Sequence, residues 1–416
     1  MSISIVSSLP ALLPVNNPDV VIVSSNLTAS ANFRYICDVS GATATARLKC
    51  DKLPTTNYGF FGVNKVVETL IAPVVPQLTS GWQDGGYAVK ANLTFREEYG
   101  SPPAVATGGT ATASLIAWQA GFRQQDYGAA IAEPTTYYST SISGDTVAVK
   151  TVSNRPPSNL AGNESETAMT VTSGTNDFLS IPVDSAVTGV LISVQYYNGN
   201  TGGTATRSFT VTGSVTGLTP MINCGPLGLY NLTSGQCSDG NAGSVNFPPD
   251  GGNIRVRLYT NALGLTNIVV IPTLSRTATF TYKIDNCERY DQLRVFFRNM
   301  YGGVDGYTFT KKNRKSVNVN RQTYGYNSSV YGDDRYDKQW NITYRDTYTL
   351  QSDWLTDLEF AWLQEMIYAP ECWMQLGSAL VPIIVQTNTY TVRTRNNDQL
   401  QTISVDVQIA YENTSL

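Results

Sequence analysis

The sequence predicts a mainly β protein made of sandwich-type domains, with a C-terminal α+β domain that carries one main helix. Three observations predict it. Only 14% of the 416 residues are charged, against about 25% in ordinary globular chains, and Ser, Thr, Asn, Gly and Tyr fill the gap. Short alternating apolar runs separated by turn residues recur along the chain. A single long segment shows helical apolar spacing with a cap at its start and a proline at its end. With 24 Tyr, 13 Phe and 6 Trp the chain is too aromatic to stay unfolded, and order is expected throughout.

Taken in order, residues 1–135 read as a β-rich domain whose strands are VVIVSS, ANFRYICDV, TARLKC, YAVKANLTF and ASLIAWQAGF. Between them NKVVETLIAPVVP reads as one or two helical turns before Pro73. Residues 136–285 turn to Ser/Thr/Gly-rich strands, TAMTVTS, GVLISVQYY, RSFTVTG, NIRVRLYT and ATFTYKI, the pattern of a sandwich or jelly roll. Inside this part Gly225 to Asn253 has almost no periodicity and reads as a long loop.

Residues 286–416 form the α+β part. YDQLRVFFRNMYGGVDGYTFTKK, Tyr290 to Lys312, reads as two strands around a glycine turn, with Asp305-Gly306 supplying the positive-φ positions. Leu293, Val295 and Phe297 fall on one face, which Tyr307 and Phe309 continue on the return strand. The helix is SDWLTDLEFAWLQEMIYAP: Thr356 and Glu359 make a capping box, Asp353 and Asp357 suit the positive end of the dipole, and Pro370 marks the stop. Its apolar stripe is expected to be Leu355, Leu358, Trp362 and Met366, with Leu363 and Ile367 beside it. A hairpin follows, LVPIIVQTNTYTVRT and LQTISVDVQIAYEN around NNDQ.

Composition excludes most catalytic designs. The chain has no histidine, which removes Ser-His-Asp and Cys-His catalysis and His-ligated zinc. Six cysteines occur without a C-x-x-C pair, so zinc ribbons and dithiol redox sites lose their signature. Cys37/Cys50 and Cys224/Cys237 are each spaced to close a small loop, or to remain buried thiols. Gly302, Gly303 and Gly306 precede Lys311 and Lys312, but the segment after them is extended and offers no helix N-terminus to a phosphate. Asp333, Asp334 and Asp337, or Glu359 and Glu365, supply paired carboxylates, yet mixed charge and capping explain them more simply. Asp239 and Asp250 are too sparse for a calcium loop. No catalytic, cofactor-binding or metal-binding residue is therefore expected. The N-terminal stretch has no basic region and a proline-broken apolar run, which predicts neither a signal peptide nor a membrane span. Its absence leaves the Asn-x-Ser/Thr sites, such as Asn26 and Asn231, to chance in an Asn/Ser/Thr-rich chain.

Charge is unevenly placed. The net charge is −4, yet 12 of the 28 Lys and Arg lie between Lys283 and Arg345, interleaved with tyrosines. Tyr and Arg are enriched at protein interfaces, and a candidate subunit interface is Tyr301, Tyr307, Phe309, Arg314, Tyr324, Tyr326, Tyr331, Arg335 and Tyr336. A local contact with DNA, by backbone tracking and base stacking, is the lesser alternative in a net acidic chain.

Several segments together resemble a known group. They are the opening L-P-x-L-x-P-V-N-N-P with Phe33 and Tyr35 after it, the strand ending in Cys287, the segment Asn299 to Phe309, the S-D-W-L-x-x-x-E helix start and the V-P-I-I strand. In these the chain resembles structural proteins encoded among the virion genes of tailed phages of Bacteroidetes, crAss-like phages included. Val304 stands where such proteins commonly carry an aromatic. The resemblance implies a tail, baseplate or neck-ring subunit made in the host bacterial cytoplasm and carried in the virion. Its implied partners are copies of itself in a symmetric ring and other tail or baseplate proteins, with no enzymatic activity and no cofactor. The alternative expectation is a receptor- or carbohydrate-binding adhesin, placed in residues 136–285; a polysaccharide-degrading enzyme comes third.

Overall fold

The computed structural model describes residues 3–7, 12–17, 19–41, 44–79, 81–121, 140–142, 145–147, 155, 168–180, 187–198, 203–215, 220–233, 252–260, 275–276, 280–286, 290–327, 335–387 and 401–415. The fold is mainly β, with one main helical segment near the C-terminal end.

In the first part, one sheet orders its strands as Leu12–Pro14, Ala111–Trp118, Ala88–Tyr99, Arg34–Ser40 and Thr45–Asp51, with Ala104–Val105 added beside Ala88–Tyr99. A three-stranded sheet of Ile3–Ile5, Val21–Ser25 and Gly59–Phe61 packs on it. Alternation decides which side chains meet. Val21 and Val23 of the small sheet and Ala91, Leu93 and Phe95 of the large one are fully buried at every second position. The short helix Asn64–Glu68, at the place expected for a helical turn, closes the sandwich with Val67.

The centre holds a sheet ordered Ala168–Val171, Phe280–Ile284, Asn253–Thr260, Val187–Asn198 and Gly203–Val215. Its first pair is parallel, Met169 opposite Tyr282, although more than a hundred residues separate them. A small sheet of Phe178–Ser180, Pro220–Asn223 and Trp82–Asp84 ties this region to the first part. The loop expected from Gly225 to Asn253 begins instead with the short helix Pro226–Tyr230, with Pro226 at its first turn, and residues 234–251 lie outside the described residues.

The C-terminal sheet has the order Val304–Phe309, Leu293–Arg298, Cys372–Leu376, Ala379–Val385, Ser404–Ile409, Arg335–Gln351 and Arg314–Asn327. Every pairing in it is antiparallel. Ala379–Val385 and Ser404–Ile409 pair as the expected hairpin, while its NNDQ turn lies outside the described residues. The helix Asp357–Leu363 starts on a complete capping box: Glu359 N–H donates to Thr356 Oγ1 at 3.3 Å, and Glu359 Oε2 accepts from Thr356 N–H at 2.9 Å. After Gln364 it resumes as Glu365–Tyr368.

Leu355, Trp362, Leu363 and Met366 are buried as expected, but Leu358 is 69% exposed and Phe360 takes its place inside. One core runs from Met169 and Val171 in the centre through Val295, Phe297, Tyr307 and Phe309 to Ile409. A second group, with Tyr87, Trp118, Phe178, Met221, Phe296 and Trp373, joins all three parts of the sequence.

Candidate functional site

The hairpin Leu293–Arg298 and Val304–Phe309 pairs Leu293 with Phe309 and Arg298 with Val304. Its turn is not built on Asp305-Gly306. Asn299 organises it, its Oδ1 accepting from the N–H of Tyr301 at 3.1 Å and of Gly303 at 2.9 Å, and Gly302 supplies the positive φ of 85°. Asp305 is buried in the return strand, where its carboxylate accepts from Trp362 Nε1 at 2.8 Å and Asn299 Nδ2 at 3.0 Å. Gly306 has a different reason to be glycine: a Cβ there would lie 2.5 Å from Arg294 Nη2.

That arginine leads to a buried polar hub which sequence reading did not find. Asp177, fully buried, accepts from Arg155 Nη1 at 2.5 Å, from Arg294 Nη2, and from the Tyr282 hydroxyl at 2.8 Å. Arg294 Nη1 also donates to Thr308 Oγ1 at 2.9 Å. The Asp177 backbone is held as well, its N–H by Asn223 Oδ1 at 3.2 Å and its carbonyl by Cys224 N–H at 2.7 Å. Burial, and then the Asp177 charge, push the Tyr282 hydroxyl well above its ordinary range, so it stays a donor. The hub is buried, and its two guanidinium groups share the single Asp177 carboxylate, so the aspartate holds strands of the centre and of the C-terminal sheet together.

The expected interface residues divide. Tyr301, Tyr307 and Phe309 are 9%, 7% and 0% exposed, packed inside this chain's own cores, and so present almost no surface to a neighbour. Tyr301 sits in the turn, and the two strands flanking it are buried at every position from Arg294 to Arg298 and from Val304 to Phe309, so both faces of the hairpin are covered. Arg314 and Tyr324 are exposed on the strand Arg314–Asn327. Tyr326 faces Tyr336, and Arg335 faces Asn327, in the register of that strand with Arg335–Gln351. Tyr331, with Asp333 and Asp334, lies outside the described residues.

These two strands make a long antiparallel arm. Arg335–Gln351 joins the sheet through Thr347 to Gln351, which pair with Ser404–Ile409, and through Ile342 to Tyr344, which pair with Asn413–Ser415. From Gln322 to Asn327 and Arg335 to Trp340 the arm is two strands wide. A register shift opposite Asn320 and Gln322, with Asn341 at a φ of 47°, marks its bend. Apolar side chains stay exposed along it: Val317 at 48%, Val319 at 40%, Tyr324 at 46% and Trp340 at 53%. Gln322 lies opposite Trp340 and Tyr324 opposite Lys338, so Tyr324 and Trp340 are diagonal neighbours on one face. Alternation puts Val317 and Val319 on the other. Arg314–Asn327 is also the edge of the sheet, with one row of backbone groups facing outward.

Lys311 is occupied by Asp353 at 3.0 Å, and the segment after the glycines is strand, so the phosphate-loop geometry is missing. Among the described residues no group of three or more Cys, Asp or Glu is arranged to hold a metal. Cys37, Cys50, Cys224 and Cys372 are free thiols, while Cys237 and Cys287 lie outside the described residues. Among the described residues no helix is long and apolar enough to cross a membrane. No protein-family model matches the chain, and no curated protein matches it in sequence.

Proposed function

We propose that the chain is a virion structural subunit, a building block of a tailed-phage tail, baseplate or neck ring that acts through subunit contacts and catalyses no reaction. The exposed arm carries this reading. The arm carries Val317 and Val319 on one face near its base and Tyr324 and Trp340 on the other along its two-stranded part, which leaves apolar surface in water on both sides. Such surface is stabilised when a neighbour covers it. The likeness of the chain's two ends to phage virion proteins supports the setting, and ring closure needs a heterologous contact of the kind an arm makes. In this reading the arm of one copy lies on the next, and Arg314 and the open edge of Arg314–Asn327 take part.

Light scattering and negative-stain electron microscopy of the purified chain test the proposal, together with mass spectrometry of purified particles. The expected outcome is a concentration-dependent closed oligomer that Val319→Glu combined with Trp340→Glu reduces to folded monomers. A wild-type chain that stays monomeric well above micromolar concentration and is absent from particles would overturn it.

A further inference from the structure

A heterologous contact joins two different surfaces, and the arm is only one of them. Its charge is unlike that of the rest of the chain. Arg314–Asn327 and Arg335–Gln351 together carry six basic residues and two acidic ones, Asp337 and Asp346, in a chain of net charge −4. Lys315 pairs with Asp346 at 2.7 Å, whereas Arg321 is exposed and has no ion pair among the described residues. Register sets which face is apolar. Lys315 lies opposite Tyr348, Val317 opposite Asp346 and Val319 opposite Tyr344, so the two valines continue the face of Tyr348 and Leu350. Tyr348 and Leu350 are buried in the largest core, together with Phe360 and Leu363 of the helix Asp357–Leu363. Farther out the same face loses its cover, and Val317 and Val319 stand in water.

The start of that helix has matching chemistry on its outer side. Leu358 at 69% and Trp354 at 60% are the most exposed large apolar side chains among the described residues. Asp353, Asp357 and Glu359 are interleaved with them, and no basic residue occurs from Ser352 to Tyr368. Asp353 is paired with Lys311, but Asp357 and Glu359 have no ion pair among the described residues. The arm of the same chain cannot reach this patch. Trp354 follows the strand Arg335–Gln351, and the roughly 23 Å of strand from Tyr344, opposite Val319, to Gln351 holds the two surfaces apart.

We propose that the patch of Trp354, Asp357, Leu358 and Glu359 on one copy of the chain receives the Val317 and Val319 face of the next copy's arm, a contact that rests on the subunit reading above. Trp354 and Leu358 cover the two valines, and Asp357 pairs with Arg321. Apolar surface meets apolar surface and acid meets base, which fixes both partner and register. The contact is head-to-tail. Each copy gives one arm and one patch, so copies add in one direction until the ring closes.

Sedimentation velocity of the full chain and its surface variants at about 100 μM tests it, with thermal midpoints to show that each variant is folded. Leu358→Glu and Val319→Glu should each weaken self-association at least about tenfold. Mixed together, these two variants should form one-to-one dimers and nothing larger, because one keeps only its arm and the other only its patch. Arg321→Glu and Asp357→Lys should each weaken association about tenfold, and a chain carrying both should recover to within about threefold of wild type. Asp357 also accepts from Gln401 Nε2 at 2.9 Å, and damage to that bond would not be repaired by Arg321→Glu. Association lost in Val319→Glu but unchanged in Leu358→Glu, or no recovery in the doubly changed chain, would overturn this contact and leave the subunit reading standing. A wild-type chain that stays monomeric would overturn both.

Discussion

Asp177 has no contact with water and three side-chain donors, two of them guanidinium groups, so its charge is needed where it stands. In Asp177→Asn two buried cations face a neutral amide, and breaking a buried pair in this way costs about 3–5 kcal/mol. Urea unfolding should show a lower midpoint at unchanged slope. The hub escaped sequence reading for a definable reason. In LRVFFR, alternation puts Arg294 and Arg298 opposite Val295 and Phe297, which reads as a solvent face. Adjacent Phe296 and Phe297 were the available signal that both faces are buried. Thiols offer a second test at this scale. Burial pushes Cys37 and Cys372 up to about 12 and Cys224 well above its ordinary value, whereas Cys50 is half-buried. Alkylation at pH 8 with peptide mapping should therefore label Cys50 well before the other three. Because the folded values lie above the unfolded ones, these protonated thiols favour the fold fully below about pH 8.5, and that contribution fades as pH rises toward 12.

The helix shows what element-level reading captures. Thr356 and Glu359 were legible because a capping box is local, and Thr356→Ala should cost about 1 kcal/mol in chemical denaturation. Leu358 falls outside the buried face because helical spacing counted from Leu355 starts too early: Leu355 precedes the cap Thr356 and pairs in a bridge with Gln401. The segment breaks at Gln364, and its buried face runs through Phe360, Leu363 and Met366. Turns follow a similar logic. Strand pairing around Met300 was legible from apolar runs, but the residue with positive φ is Gly302, which a tertiary contact also fixes. A Cβ at Gly302 would sit 2.6 Å from the Gln119 carbonyl, whereas at Gly377, with a φ of 62°, it meets open space. Gly377→Ala should then cost about 1 kcal/mol and Gly302→Ala clearly more, since strain and collision add. Equal thermal shifts for the two variants would refute that account of the turn. In the arm, Tyr324 is exposed as a candidate interface residue, whereas Trp340 is not among the candidates, and its exposure goes with the two-stranded width of the ribbon there.

For the whole molecule the arrangement of cores matters more than the changes in composition. Composition follows local strand chemistry, and it cannot reveal that Ala168–Val171 pairs with Phe280–Ile284 or that Trp82–Asp84 pairs with Pro220–Asn223. The first core draws on residues from Ile3 to Ala117, whereas the largest runs from Met169 to Ile409 and is shared by the centre and the C-terminal part, sheet and helix alike. Elements that share a core unfold together. Calorimetry should accordingly resolve two transitions. Phe95→Ala, in the first core, should lower one of them, and Phe297→Ala, in the shared core, the other, each by about 3–5 kcal/mol. Phe296 belongs to the small group that joins both units, and Phe296→Ala should lower the second transition and weaken its coupling to the first. A fragment of residues 286–416 would strip the cover from Val295, Phe297 and Phe309 and should be insoluble, while a fragment of residues 1–121 keeps its own core and should fold. If Phe95→Ala and Phe297→Ala instead shift one common transition, the joining group of Tyr87, Trp118, Phe178, Phe296 and Trp373 is strong enough to make the chain a single cooperative unit.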